Sequence, residues 1–203
     1  MIYDISQPLF ECDVFPGDNR PLRRQVMSME NGDLYNLTEL SMCVHNGTHV
    51  DAPCHFIRGG KGIDRVPLEK FIGPAFVAEH NGDISGQDAE RILKKAAERG
   101  IGAENKILIK GKATVTQEAA EVFAKAGLDL IGNESQTVGP EDAPMKVHLI
   151  LLEKEVVLLE GIRLDAVPEG TYLLNCAPLN LTGTDGSPCR AVLTDIEQTV
   201  RSF

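Results

Sequence analysis

Apolar and polar positions divide this 203-residue chain into an extended first part and an α/β remainder. Residues 2–5, 24–28 and 35–44 have strand character, separated by turns such as Phe15-Pro16-Gly17-Asp18 and Glu30-Asn31-Gly32-Asp33. Residues 87–99 carry Ala89, Ile92, Leu93, Ala96 and Ala97 on one helical stripe, with Ser85 and Asp88 spaced as a capping pair at its start. Lys106 to Lys110 predicts a strand, 116–126 a helix ended by Gly127, and 128–132 another strand. Strand, helix and strand at these lengths imply a right-handed parallel crossover. A short helix over 146–154, a strand over 156–160 and strands near 171–178 and 190–194 complete the pattern. The expectation is an α/β fold, one domain over residues 1–203, with a mixed sheet that begins antiparallel.

Composition narrows the class. Apolar content of 42% and charged content of 25% are those of an ordinary globular protein. A net charge of −10 without any basic run argues against nucleic acid or an anionic membrane as partner and fits a small-molecule substrate. No stretch approaches the ~20 apolar residues of a transmembrane helix. The start, Met1-Ile2-Tyr3-Asp4, lacks a basic segment followed by an apolar one, so no signal peptide and a cytoplasmic location are expected. Five cysteines without a CxxC pair agree, reading as reduced thiols. Arg58-Gly59-Gly60-Lys61-Gly62 lacks the spacing of a phosphate loop and reads as a turn.

Chemistry concentrates in His45-Asn46-Gly47-Thr48-His49-Val50-Asp51-Ala52-Pro53-Cys54-His55-Phe56. His45, His49, Asp51 and His55 make a nitrogen and oxygen donor set suited to zinc or manganese. All four share parity, and residues two apart share a face of an extended chain, so His49 and Asp51 point the same way. A helix fails, because Asp51 and His55 would fall roughly 240° and 280° around from His45, and Pro53 opposes one. Fully extended, His45 and His49 would stand about 13 Å apart, so the strand must kink, and Gly47 stands where the kink is needed. The residues therefore predict a metal site on a bent strand. Cys54 has the wrong parity for that face and reads as a buried thiol. Farther on, His148 and Glu160 draw no notice by themselves: one follows a proline near a helix start, the other ends an apolar strand.

His45-x-Gly47-Thr48-His49-x-Asp51-x-Pro53-x-His55-Phe56 resembles the signature of the cyclase family of metal-dependent hydrolases, which includes the bacterial kynurenine formamidases. Pro16-Gly17-Asp18, Pro67-Leu68-Glu69, Gly73-Pro74 and Leu130-Ile131-Gly132 are similar to further family segments. Pro178-Leu179-Asn180-Leu181 and the run from Gly183 to Ala191 resemble its C-terminal signature. By position, the resemblance implies that His45, His49 and Asp51 bind one divalent ion. Asp51 would bridge to a second ion, also held by His148, and Glu160 would contact both. His55 would be the acid/base. The implied fold is a layered β/β/α arrangement, assembled into homodimers or higher homo-oligomers.

The implied reaction is hydrolysis of an amide, formamide-like bond of a small molecule by water activated at two zinc ions, with manganese as the other fit. Two departures separate reaction from substrate. The chain has no tryptophan, and Phe15 stands where the formamidases carry one; the segment between Lys110 and Thr116 is also shorter than theirs. Phe15 is thereby the candidate substrate contact. One alternative is a single-metal enzyme opening a cyclic amide or lactone, similar to the isatin hydrolases; another is a metal-dependent binding protein without catalysis. Asp185-Gly186 reads as a turn signal, and His80 as a solvent-facing turn residue. For Arg190 a carboxylate clamp and a structural contact stand equal.

Overall fold

The computed structural model describes residues 1–196. In chain order the strands begin with β1 (Ile2–Asp4), β2 (Leu22–Met27), β3 (Leu37–Ser41), β4 (His49–Asp51), β5 (Ile72–Glu79) and β6 (Gly82–Ile84). Helix α1 (Gly86–Ala97), β7 (Lys106–Lys110), β8 (Ala113–Val115), α2 (Gln117–Ala126) and β9 (Leu130–Asn133) follow. The chain continues through α3 (Met145–Glu153), β10 (Val157–Glu160), β11 (Gly170–Asn175), β12 (Gly186–Pro188) and β13 (Val192–Asp195).

Nine strands form one mixed sheet in the order β1-β13-β11-β5-β7-β9-β10-β4-β12. Its centre, β5, β7, β9 and β10, is parallel, and both flanks are antiparallel. The helices owe their ends to local chemistry. The Ser85 hydroxyl accepts from the Asp88 N–H while the Asp88 carboxylate accepts from the Ser85 N–H, and Gly127 closes α2 in the left-handed region. Ala89, Ile92, Ala96, Ala119 and Phe123 bury one face of these helices against Phe76, Ile107, Ile109, Ile131 and Leu158. On the opposite face Leu193, Leu174, Val77, Leu108, Leu159 and Val50 share a second core. Strands distant in the sheet thus meet, so the sheet curls over itself beneath the helical layer. This realises the expected β/β/α layering.

Three expectations change. The motif strand is shorter than predicted: only His49–Asp51 is strand, His45 lies in the turn before it, and His55 ends the 3-10 turn Pro53–His55. Gly47, at φ +64°, makes the kink. The central strand β5 went unread because Gly73-Pro74 punctuates its start. Pro74 pairs with Leu173, while pairing to β7 begins only at Phe76, so a proline is tolerated where the strand has a single neighbour. Ala97, which shares the apolar stripe of α1 by spacing, is exposed. All five cysteines are free thiols, and among the described residues no helix is long and apolar enough to cross a membrane.

Candidate metal centre and active site

Pairing of β4 with β10 sets His49 directly opposite Glu160 and Asp51 opposite Leu158. Residues opposite each other in an antiparallel pair project from the same face, so His49, Asp51 and Glu160 converge on the helical side of the sheet. Helix α3 packs there through Val147, Leu151 and Leu152, bringing His148 to the same place. His49, Asp51, His148 and Glu160 are all buried. His49 Nε2 lies 3.5 Å from Asp51 Oδ1 and 3.4 Å from Glu160 Oε2; His148 Nε2 lies 3.6 Å from Asp51 Oδ2 and 3.3 Å from Glu160 Oε1. His45 Nδ1 approaches Asp51 Oδ1 at 2.9 Å.

Each of these three imidazoles has its other nitrogen held from outside. His49 Nδ1 lies 2.9 Å from the Gly47 carbonyl, His148 Nδ1 lies 2.9 Å from the Pro144 carbonyl, and His45 Nε2 lies 2.7 Å from Asp185 Oδ2. Acceptors so placed fix the tautomer that leaves the inner nitrogen bare, which is how metal-binding histidines are oriented. Donor atoms of His49, Asp51 and Glu160 fall within 4.8 Å of one another, as do those of His45, Asp51 and His55, so the two groups meet at Asp51. Asp51 Oδ2 is buried without a hydrogen-bond partner. A buried carboxylate oxygen left bare is costly unless a cation completes it. This N/O donor set, with two acidic members and no thiolate, fits a divalent ion such as zinc or manganese.

Without a cation, protons supply the missing charge. Burial disfavours charge on His45, but hydrogen bonds to Asp185 and Asp51 outweigh it and raise its pKa to about 11. Burial likewise opposes charge on His148, and the bond to Glu160 raises it to about 9. His49 is raised too, burial being overcome by Glu160 and Asp51. Asp51 and Glu160 are held low despite burial by their imidazole neighbours, and Asp185 is held low by its bond from His45. His55 goes the other way: burial pushes its pKa below the ordinary value. Its environment separates it from the other three, because it favours the neutral base.

The cluster floors a cavity of about 260 Å³ whose walls include Phe15, Asp18, Phe56, Gln136, Thr137 and Pro144. Phe15 therefore lines the cavity beside the cluster, and Asp18 with it. Cys54 is half-buried, with its thiol raised chiefly by burial. Arg190 pairs with Asp4 away from the cavity, and His80 is half-buried with Nε2 near the Asp83 carbonyl. Asp185, Phe56, Gln136 and Thr137 were not anticipated. For Asp185 a signal existed, since it lies inside Gly183-Thr184-Asp185-Gly186, but Asp-Gly reads first as a turn.

A model of the putative cyclase family matches residues 3–140. A kynurenine formamidase of Salinibacter ruber is 35% identical, the alignment covering 96% of this chain and 97% of that protein. Among solved structures, one described as a potential metal-dependent hydrolase with cyclase activity superposes with a TM-score of 0.78 at 27% identity, covering 95% of this chain and 96% of the other. Isatin hydrolase A of Labrenzia aggregata gives a TM-score of 0.81 at 20% identity over 95% of this chain and 93% of its own, a likeness of fold alone. On these matches, the chain belongs to the cyclase family.

Proposed function

We propose that the protein, one domain over residues 1–203, is a metal-dependent hydrolase of an amide, formamide-like bond in a small molecule. His45, His49, Asp51, His148 and Glu160 would hold two divalent ions, zinc or manganese, and His55 would be the acid/base. The bare, buried Asp51 Oδ2 at the meeting point of the imidazoles is the observation that carries this reading. Kinship to a kynurenine formamidase supports the bond type. A bound divalent ion would act as a Lewis acid and lower the pKa of water, from 15.7 to about 7 in the best zinc cases.

The chain's own groups supply the rest. Neutral His55 accepts a proton from water at one ring nitrogen and returns it to the leaving nitrogen, since an amine anion is a poor leaving group. Phe15, Phe56 and Pro144 give the cavity apolar walls for the substrate's organic part and limit water around the scissile bond. Phe15 offers a smaller ring face than an indole and no N–H, so the substrate need not be N-formylkynurenine.

A cytoplasmic homodimer or higher homo-oligomer completes the reading. Among the described residues β2 and β3 pair only with each other, and Leu22, Leu34, Leu37 and Leu40 along this hairpin are exposed, Leu34 by 91%. A lone two-stranded ribbon is marginal in water, and exposed leucines among the charged residues of this one support its use as a contact surface. A second copy is the occupant we assign. Sedimentation should give at least a dimer, and a monomer at micromolar concentration contradicts the assignment.

The activity is tested on protein purified without chelators. Bound metal is counted, then zinc and manganese forms are assayed against formyl amides, cyclic imides and lactones. Two ions per chain with turnover of formyl amides is expected. One tight ion with turnover confined to cyclic substrates replaces the reading with the ring-opening alternative.

A further inference from the structure

Asp185 lies outside the ligand set and acid/base named above, yet its Oδ2 atom is shared by two imidazoles, that of His45 and that of His55. It lies 2.7 Å from His45 Nε2 and 3.2 Å from His55 Nδ1. Resting on the hydrolase reading, we infer that Asp185 is a positioning residue that accepts an N–H from both rings and so fixes which nitrogen of each stays bare. For His45 the bare atom is Nδ1, which faces Asp51. For His55 it is Nε2, the atom left to exchange a proton with water and the leaving group. One carboxylate thereby ties the tautomer of a cation ligand to that of the acid/base.

Geometry makes the sharing possible. The His45 and His55 rings lie 4.1 Å apart between centroids at 31°, so their outer edges present N–H groups to one acceptor. The acceptors on His49 and His148 are neutral backbone carbonyls. A carboxylate in the same position is a stronger acceptor and raises the basicity of the ring it holds.

The position of Asp185 is built rather than incidental. Its carbonyl accepts from the Ala52 N–H at 2.8 Å, and the Thr184 carbonyl accepts from the Ile63 N–H at 2.9 Å. The next residue, Gly186, pairs opposite Asp51 as β12 adds to β4. A Cβ on Gly186 would stand 2.8 Å from His45 Cε1, so the ring reaches Asp185 only because no side chain is there. A plain surface turn would need neither the strand pairing nor the vacancy beside the ring.

The test compares wild type, Asp185→Ala and Asp185→Asn, each zinc-loaded and labelled with ¹⁵N-histidine. Imidazole ¹⁵N shifts report the tautomers directly, chelator competition reports zinc affinity, and an aryl formamide probe reports kcat and KM. His55 should be Nδ1-protonated in wild type and a tautomer mixture in Asp185→Ala. That variant should lose about 10–100-fold in zinc affinity and in kcat, with KM little changed. Asp185→Asn keeps an acceptor oxygen without the charge and should fall between; it also stands in should the alanine variant not fold. Unchanged His55 shifts with kcat within twofold of wild type in either folded variant overturn the assignment. Absence of amide turnover by the wild type defeats the hydrolase reading instead, while the tautomer comparison still decides the role of Asp185.

Discussion

The two ends of the parallel strands both carry charged clusters, but only one is complete. At the N-terminal end, Lys106 opens β7 with its side chain nearly buried and its Nζ 3.2 Å from Asp129 Oδ2, just before β9. Lys70 donates to the Glu155 carbonyl at 2.6 Å, and Lys61 pairs with Glu155 at 2.8 Å. Each cation there meets an anion or a carbonyl, and the acids remain partly in contact with water. At the C-terminal end, Glu160 closes β10 within a cluster whose two buried carboxylates meet imidazoles and, at Glu160 Oε1, the Val138 N–H, with one Asp51 oxygen bare. A self-neutralising cluster supports a fold, whereas one short of positive charge calls for a ligand.

The comparison breaks most visibly at Asp51. Asp51→Ala removes the carboxylate that meets His45, His49 and His148, and should abolish both metal binding and activity; retention of stoichiometric metal on elemental analysis would contradict its place. His55→Ala should cost about 10²–10⁴-fold in kcat while the metal content stays that of wild type. Equal metal loss in His55→Ala and His49→Ala would return His55 to the ligand set.

Stability against pH sharpens the same contrast. In chelated protein His45 and His148 have folded pKa values of about 11 and about 9, above the unfolded value near 6.5. Their contribution is fully present below about 6.5 and is lost as pH rises through 9 and then 11. Chelated protein should therefore melt at progressively lower temperature from pH 7 to pH 10. Metal-loaded protein, whose ligand imidazoles must be deprotonated, should instead weaken on acidification as protons displace the ion. Parallel melting curves for the two forms would show that cation and protons do not share these sites. The smallest effect belongs to the finished cluster. Lys106→Met should shift stability by about 1 kcal/mol or less, since Asp129 is a third exposed and can turn to water, and should leave metal content and kcat unchanged.

Sequence pattern exposed what depends on local periodicity. Parity placed His49 and Asp51 on one face, and that inference holds because they flank Val50 in a true strand. The capping pair of α1 and the glycine end of α2 were equally local. His45 and His55 share the parity but reach the cluster from a turn and a 3-10 segment, so periodicity grouped them without describing their path. His148 and Glu160 needed family resemblance because Glu160 meets the motif by pairing across more than a hundred residues and His148 by the packing of α3. Strand β5 was hidden by glycine and proline, and Asp185 by a dipeptide whose turn character is real but incidental to its neighbours.

Strand β4 is three residues long, yet it is held between β10 and β12, partners that follow it by more than a hundred residues. Closing such long loops is slow and is rewarded only once both partners have arrived. The cluster is therefore expected to assemble late, after the parallel core has a surface on which β4 can dock. A chain stopped before residue 186 would lack the strand that walls off His45, whatever else it had folded. Ion uptake during refolding should accordingly follow the recovery of helical signal, which makes the metal a reporter of completed folding rather than its nucleus.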